Sequence, residues 1–289
     1  MRKIIFMTAV AAAILFAGAG ATAQEHGCGG CAGTGTCATA SLKTAIAGSH
    51  KITGEDEWHG FRRIKFEFEG MTGWVVEPWV KAADGMPWTW TMQWADAFVD
   101  RTGVLDLLRE GYHHVTLEAF ETRCADQFLP TFAAFQKFLV DELGFAPKAN
   151  LVGMSWGGFY SVRYASTYPG NVRKVYLDAP LLTFGNWGSA DKSTIGIWDS
   201  CRPDGDDWTD DPRMPLNMAE KLAASGIPVL LLYGGHDQTV NPDLNCRPFI
   251  ERFKAAGGKI TVKERALYGH HPHGEDPDKT STITDFFKD

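Results

Sequence analysis

An α/β fold, with a mostly parallel central sheet flanked by helices, is the fold class that this sequence predicts. Short apolar runs at 149–152, 172–177 and 227–233 are typical of buried strands. Longer runs at 128–143 and 158–168 carry apolar residues at helical spacing. Because strands and helices alternate, most strands are expected to lie parallel and to be covered on both faces. The 289 residues, 44% of them hydrophobic, suffice for one such domain.

The first elements are predicted from alternation and turn residues. Residues 63–68 alternate charged and apolar side chains, as a half-exposed strand does. Residues 73–77 are expected to pair with them across a turn at 70–72. The first half then continues with a strand at 87–92, a helix at 98–109, a strand at 114–117 and the helix at 128–143.

Residues 181–215 interrupt the alternation of strands and helices. They are rich in Gly, Asp, Trp and Pro, and we interpret them as a small insertion that forms a partial lid over the site. Beyond the insertion we expect a helix at 216–225, the strand at 227–233, a helix at 248–256, a strand at 259–264 and a final helix. No internal repeat is evident.

The N-terminal residues resemble a secretory signal peptide. Arg2 and Lys3 precede an apolar run at 4–16, and Ala21-Thr22-Ala23 has the small residues of a cleavage site. The apolar run is too short for a stable membrane span. We therefore expect a signal peptide at 1–23, a secreted or periplasmic protein, and no membrane span after cleavage.

Residues 24–50 are rich in Gly, Ala, Thr and Ser and are predicted to form a flexible linker. The linker holds Cys28, Cys31 and Cys37, for which a local disulfide is favoured over a redox pair or a metal clip. Six cysteines suit an oxidising compartment. A bridge between Cys201 and Cys246 would tie the insertion to the helix after Asp237, although spacing does not establish the pairing.

Charge argues against nucleic acid as a partner. The formal net charge is −7, and no cluster of Lys and Arg is present. A chain that binds the phosphate backbone needs a basic surface.

The Gly-Met-Ser-Trp-Gly segment at 153–157 carries the strongest functional signal. It lies between a predicted strand and a predicted helix, the context of a nucleophile elbow. Small residues beside Ser155 permit the sharp turn that would expose its hydroxyl, near a helix N-terminus that favours negative charge.

Two further residues follow predicted strands in the order that such a site requires. Asp237 follows the strand at 227–233, and His270 follows the strand at 259–264. The ligand crevice of a parallel sheet lies beyond the C-terminal ends of its strands. We therefore predict Ser155 as nucleophile, His270 as base and Asp237 as the acid that orients it.

These motifs resemble those of the α/β-hydrolase superfamily. The resemblance covers residue 63 to the C-terminus and rests on the elbow, the stretch from Gly234 to Val240, and Gly269-His270. The segments at 87–90 and 269–274 are similar to those of uncharacterised secreted bacterial hydrolases and esterases. The resemblance implies an α/β-hydrolase domain at 51–289 and an oxyanion hole from the backbone N–H of Trp156 and of Thr91 or Met92.

Alternatives remain for the acid and the base. Asp178 also ends a predicted strand and is a second candidate acid, whereas His271 is the main rival to His270, followed by His273. These three histidines would need a further ligand to hold a metal, and they lack the spacing of helical zinc ligands. We expect neither metal nor cofactor.

Tryptophan is abundant, with ten residues. Six lie between Trp58 and Trp94, and three lie in the insertion. Because a flat apolar wall in a lid can stack on a ring of a substrate, Trp187 and Trp198 are the candidate substrate contacts.

The sequence thus predicts a secreted serine hydrolase that cleaves carboxylic esters through an acyl-enzyme. The substrate is expected to be a small molecule or an acyl group linked to carbohydrate. A serine peptidase, or a lactone or polyester hydrolase, would use the same residues. Two alternatives from other classes are an inactive binding protein of this fold and a metal or redox protein that uses the Cys-rich tail.

Overall fold

A nine-stranded sheet organises the part of the chain that the computed structural model describes, residues 38–184, 198 and 210–289. All of these residues belong to one unit, Cys37–Asp289. The strands are β1 (Ile52–Trp58), β2 (Phe61–Phe68), β3 (Met71–Val76), β4 (Trp88–Thr91), β5 (His113–Glu118), β6 (Ala149–Met154), β7 (Val172–Asp178), β8 (Val229–Gly234) and β9 (Ile260–Arg265).

Seven α-helices accompany the sheet within the described residues. They are α1 (Ala38–Ser49), α2 (Val104–Arg109), α3 (Leu129–Asp141), α4 (Trp156–Thr167), α5 (Ala219–Ala224), α6 (Cys246–Ala255) and α7 (Ser281–Lys288). None of the helices described is long and apolar enough to cross a membrane.

The strand order is β1-β2-β3-β5-β4-β6-β7-β8-β9. The pairs among β1, β2, β3 and β5 are antiparallel, and every pair from β5 across to β9 is parallel. The mostly parallel sheet predicted from the sequence is thus confirmed. The C-terminal ends of the parallel strands meet at one edge, where a ligand crevice is expected.

Both faces of the sheet are buried. Successive strand residues point to opposite faces: in β8, Leu231 belongs to one apolar cluster and Leu232 to the other. The larger cluster includes side chains of α1, α3, α4, α5 and α6. The smaller cluster includes side chains of α2 and α7.

The predicted linker at 24–50 was wrong at its C-terminal end. Ala38–Ser49 forms α1, and Leu42 and Ile46 are buried in the larger cluster. These two residues lie one helical turn apart, so they face the core together. Residues 24–37 lie outside the described residues.

Two other differences concern the first half of the chain. β1 was missed because its residues from Gly54 to Glu57 are largely exposed and polar at a sheet edge, which leaves no alternating pattern. The helix expected at 98–109 is divided into a 3₁₀ turn, Val99–Arg101, and α2. Gly103 separates them with a φ of 73°, outside the range of a right-handed helix.

Most of the predicted insertion lies outside the described residues, as does Cys201. Cys124 and Cys246 are free, buried thiols. Because Cys201 lies outside the described residues, the Cys201–Cys246 bridge stays a prediction. Burial raises the pKa of the Cys124 thiol to about 12 and that of Cys246 well above its ordinary value, so neither is a reactive thiolate.

Candidate active site

Ser155 stands at a sharp turn between β6 and α4. Its φ of 49° and ψ of −117° are unusual for a residue with a side chain. The surrounding backbone holds this conformation: the Ser155 N–H donates to the Asp178 carbonyl at 2.9 Å, and its carbonyl accepts from Gly158 and Leu181 at the same distance. Strain that the structure holds in this way is frequent at functional sites.

The glycines of the motif are required by close packing. A Cβ on Gly153 would lie 2.6 Å from the Ser161 hydroxyl oxygen, and one on Gly158 would lie 2.3 Å from the Cβ of Pro180. A Cβ on Gly157 would lie 3.3 Å from the backbone of Gln93. The small residues therefore allow α4 to begin directly against neighbouring strand ends.

A continuous hydrogen-bonded chain joins Ser155, His270 and Asp237. His270 Nε2 lies 3.1 Å from Ser155 Oγ, and His270 Nδ1 lies 2.7 Å from Asp237 Oδ2. Since a carboxylate only accepts hydrogen bonds, the proton of a neutral His270 belongs on Nδ1. Nε2 then presents its lone pair to the serine hydroxyl, as a general base must.

The Asp237 carboxylate is buried and fixed by backbone donors. Its Oδ1 accepts from the N–H groups of Thr239 and Val240, both at 2.8 Å. Oδ2 is left for His270. A carboxylate held in this way fixes the orientation and tautomer of the imidazole.

Asp178, the second candidate acid, pairs with a different histidine. Its Oδ1 lies 2.7 Å from His273 Nδ1, and its Oδ2 accepts from the Gly274 N–H at 2.8 Å and the Tyr176 hydroxyl at 2.6 Å. Arg265 approaches Oδ1 at 3.4 Å. Burial by itself would raise the pKa of Asp178, but these partners, with His273 foremost, hold the pKa below its ordinary value.

His271 and His273 are not bonded to Ser155. The ring of His271 stacks on Phe98, with centroids 5.3 Å apart. Partial burial, and then the neighbouring His273 and His270, lower the pKa of His271. Of the three candidate bases, the structure brings His270 to the serine.

The three histidines form a compact group whose candidate ligand atoms lie within 4.8 Å of one another. Both nitrogens of His270 already contact Ser155 and Asp237, and His273 Nδ1 contacts Asp178. As arranged, His270 fits a proton-transfer role, and it could bind a metal only by giving up one of its two contacts.

Of the backbone N–H groups predicted to form the oxyanion hole, that of Trp156 lies at the elbow, whereas those of Thr91 and Met92 lie at the end of β4. Trp156 begins α4, directly after Ser155. Thr91 is the last residue of β4, and the Met92 N–H donates to the Val152 carbonyl at 3.2 Å. That bond commits the Met92 donor to the sheet and contradicts its predicted role. Thr91 lies still further inside the strand ladder, paired with Val152.

Gln93 was missed by the sequence reasoning. It is the first residue after Met92, and its backbone lies against Gly157 of the elbow. The Gln93 side chain is 5% exposed, and its Nε2 has no hydrogen-bond partner among the described residues. Its place just beyond a strand end was the available signal, but a backbone donor leaves no side-chain signature in a sequence.

Of the two predicted substrate contacts, Trp187 lies outside the described residues. Trp198 has no exposed surface. Its Nε1 donates to the Arg123 carbonyl at 2.8 Å, its ring packs edge-on against Phe159 and Phe184, and the Arg163 guanidinium lies 4.4 Å from its centre. This burial contradicts the predicted substrate contact, because no face of the ring is open to a ligand.

A cleft of about 550 Å³ opens beside the elbow. It is lined by residues that follow β4, by residues of β5 and of the turn after it, and by Trp74 of β3. Phe120, in its wall, packs edge-on against Trp156 with ring centroids 5.7 Å apart. Gln93 belongs to the cleft lining and also touches the elbow. Two lining residues, Gln93 and Phe120, thus contact the elbow, although Ser155 and His270 are not themselves part of the lining.

Comparison with a family model identifies an α/β-hydrolase-fold segment at residues 122–199. The matched segment contains Ser155 and Asp178 and ends before Asp237 and His270. No curated protein sequence matched the chain.

Solved structures with a similar fold include an acylaminoacyl peptidase from Pyrococcus horikoshii, with a TM-score of 0.56 and 15% identity over 85% of this chain. This chain spans 43% of the length of that peptidase. An S-formylglutathione hydrolase from Agrobacterium tumefaciens has a TM-score of 0.55 and 15% identity, covering 82% of this chain and 97% of its own. A sugar hydrolase from Lactococcus lactis has a TM-score of 0.57 and 15% identity, covering 78% and 97%.

These proteins differ in what they hydrolyse, so their likeness concerns the fold. The sheet order, the elbow at the end of β6 and the matched segment agree with that likeness. The chain is an α/β-hydrolase by fold, as its sequence motifs predicted.

Proposed function

We propose that this protein is a serine hydrolase that cleaves small carboxylic esters through an acyl-enzyme. The observation that carries the proposal is the chain Asp237–His270–Ser155, with distances of 2.7 and 3.1 Å, at the strained turn after β6. An inactive binding protein of the same fold would have no need to hold three side chains in this geometry.

The chemistry follows from the positions of the atoms. Ser155 Oγ attacks the ester carbonyl carbon while His270 Nε2 takes the hydroxyl proton. The carbonyl oxygen gains the negative charge, and the N–H of Trp156 together with that of Gln93 would stabilise it. When the C–O bond to the alcohol breaks, the proton passes from His270 to the departing oxygen. Water then attacks the acyl-enzyme by the same route and releases the acid.

Esters linked to carbohydrate are a weaker form of the proposal. Their support was a lid wall formed by Trp187 and Trp198, and Trp198 is buried. A peptidase is the second candidate, because the same residues cleave amides in other proteins and because an acylaminoacyl peptidase has a similar fold. Parallel assays of a p-nitrophenyl ester and the matching p-nitroanilide would separate the two.

Labelling with a fluorophosphonate and hydrolysis of short p-nitrophenyl esters test the proposal directly. Ser155→Ala is expected to abolish labelling, and Ser155→Ala and His270→Ala should each lower kcat by about 10⁴-fold or more. Asp237→Asn should lower kcat by a similar order because it favours the wrong tautomer of His270.

His271→Ala is the matched control, since it removes a neighbouring imidazole that does not contact Ser155. It should retain kcat within about threefold of the parent. A parent that neither reacts with the phosphonate nor cleaves any ester would refute the proposal and favour a binding protein. If His271→Ala lost activity and His270→Ala kept it, the general base would be His271 instead of His270.

Export is a separate part of the proposal, supported by the N-terminal sequence at 1–23. Expression of the full chain in a bacterial host, followed by fractionation and mass spectrometry, tests it. We expect an exported product that begins at Gln24. A cytoplasmic product that retains residues 1–23 would contradict export without bearing on the chemistry.

A further inference from the structure

The cleft beside Ser155 combines aromatic rings with carboxylates. Trp94 and Phe120 line it with ring centroids 4.6 Å apart, and Trp94 is 40% exposed. The charged lining residues are three acids, Asp96, Glu118 and Glu121. No Lys or Arg belongs to the described lining.

Two arginines lie against aromatic rings of the lining. Arg63 lies 5.1 Å from the centre of the Trp74 ring, and Arg123 lies 3.8 Å from that of Phe120. Both arginine side chains are mostly buried, with 12% and 13% of their surface exposed, whereas the Glu121 side chain is 92% exposed. Arg63 lies 3.3 Å from Asp96 and Arg123 lies 3.8 Å from Glu121, so each of these acids has an ion-pair partner. Glu118 has no ion-pair partner among the described residues, and the described lining carries only negative charges.

Two of the acids are oriented by neighbouring groups. Glu118 Oε1 accepts from Trp74 Nε1 at 3.1 Å, and Asp96 Oδ1 accepts from Trp58 Nε1 at 2.5 Å. Arg63 also approaches Asp96 at 3.3 Å. These bonds orient both carboxylates at the cleft wall, and within the described part of the chain neither Asp96 Oδ2 nor Glu118 Oε2 has a hydrogen-bond partner.

Gln93 provides an independent indication that the cleft takes a ligand. Its side chain is 95% buried in the wall and its Nε2 lacks an acceptor among the described residues. An amide donor that is buried without a partner is costly. A carbonyl oxygen of a substrate bound at Ser155 would supply the missing acceptor. The part of the substrate attached to that carbonyl would then enter the cleft.

We infer that the cleft selects esters that carry an ammonium group. A cation gains from aromatic faces and from nearby carboxylates at once, whereas an anion meets only repulsion there. This inference rests on the proposed ester hydrolysis and specifies its substrate class. Glu118 and Glu121 are the residues expected to set the preference, with Trp94 and Phe120 as the aromatic surface.

Isosteric pairs of esters isolate the charge. Choline butyrate and 3,3-dimethylbutyl butyrate differ in charge on the alcohol side. The p-nitrophenyl esters of 4-(trimethylammonio)butyrate and 5,5-dimethylhexanoate differ in charge on the acyl side. In at least one pair, kcat/KM of the cationic member should exceed that of the neutral member by about threefold to thirtyfold. The pair that responds shows which side of the ester enters the cleft.

The variant Glu118→Gln/Glu121→Gln should bring the preferred pair close to a ratio of one. Glutamine keeps an acceptor for Trp74, and circular dichroism checks the fold. Glu220→Gln/Glu251→Gln, on α5 and α6 and outside the cleft lining, removes the same charge and should leave the ratio unchanged.

Two results would overturn the inference alone: neutral esters cleaved with no preference in either pair, or a preference that persists in the cleft variant. A parent that cleaves no ester and does not react with a fluorophosphonate would instead refute the proposed function. If both double variants lost the preference equally, its cause would be the net charge of the protein, and the assignment to the cleft would be wrong.

Discussion

Asp178 connects the nucleophile to the loop that carries the base. Its main-chain carbonyl accepts from the Ser155 N–H, and its side chain holds His273 and Gly274, which follow His270 by three and four residues. A single buried residue at the end of β7 thus contacts both parts of the site. The candidate acid that does not pair with His270 has a positioning role in this arrangement.

Asp178→Asn is expected to lower kcat by about tenfold to a hundredfold with a small change in KM, because displacement of His270 by a fraction of an ångström disturbs its alignment. Whichever way the amide is turned, its NH2 group faces a donor, either that of His273 or that of Gly274, and the charge that pairs with His273 and Arg265 is lost. The free energy of unfolding should therefore fall by about 3–5 kcal/mol. Steady-state kinetics and urea unfolding measure the two effects.

Tyr176→Phe serves as the matched control for this prediction. It removes one donor to Asp178 at 2.6 Å and leaves the His273 contact in place. Stability should fall by about 1 kcal/mol while kcat changes little. If Asp178→Asn kept its kcat within twofold while folded, the positioning role would be wrong and the residue would be purely structural.

The sequence was sufficient to place Ser155, Asp237 and His270, because each follows an apolar run that forms a strand with its C-terminal end at one edge. It was not sufficient for the pairing of Asp178 with His273, which lie 95 residues apart. The stretch from Gly234 to Val240 favours Asp237 over Asp178 as the acid, but it says nothing about the partner of Asp178. The partners of the two acids depend on how the loop after β9 folds back across the edge.

At the scale of elements, composition concealed α1. Its residues are rich in Ala, Thr and Ser, which are also typical of linkers, and its apolar contacts are Leu42 and Ile46. His50, just beyond the helix, stacks on Phe68 at 5.0 Å and contacts Phe138 at 4.3 Å. Tertiary packing therefore fixes a segment whose local sequence resembles a tail.

Two substitutions in α1 should change the free energy of unfolding in opposite directions. Ile46→Ala removes a fully buried side chain and should lower the free energy of unfolding by about 2–4 kcal/mol. Gly48→Ala meets no atom within 4 Å and should raise it by up to about 1 kcal/mol. Urea unfolding of both variants is the measurement. A flexible segment would show no change in either variant, and that result would mean that residues 38–49 belong to the flexible linker.

At the scale of the whole molecule, β5 places two neutral histidines inside the fold. His113 lies against Phe145, and His114 lies between Trp58 and Trp74, because successive residues of a strand face opposite sides. Burial lowers the pKa of His113 to about 4 and that of His114 to about 3. One ring nitrogen of each lacks a partner among the described residues. Both apolar faces of the sheet thus contain a group that resists protonation.

These two histidines predict loss of stability in mild acid. In the unfolded chain they take up protons below a pH of about 6.5, whereas in the folded protein they do so only near pH 4 and 3. The two neutral histidines therefore cost no stability above pH 6.5, and the free energy of unfolding declines as the pH falls toward their pKa values in the folded protein. The expected slope is about 1.4 kcal/mol per pH unit for each histidine. Urea unfolding between pH 7 and 5 measures it.

His113→Phe replaces the titrating ring by an apolar one beside Phe145, so one proton fewer is taken up on unfolding. The slope of the unfolding free energy against pH should therefore fall by about 1.4 kcal/mol per pH unit. His59→Asn, at an exposed turn, controls for removal of a histidine. Glu77, whose pKa burial raises, acts in the opposite direction, but it is present in both the parent and the variant, so the difference between their slopes isolates His113. An unchanged slope in His113→Phe would mean that His113 is protonated within the folded protein, and the buried face of the sheet would then have to admit water or a counter-ion near Phe145.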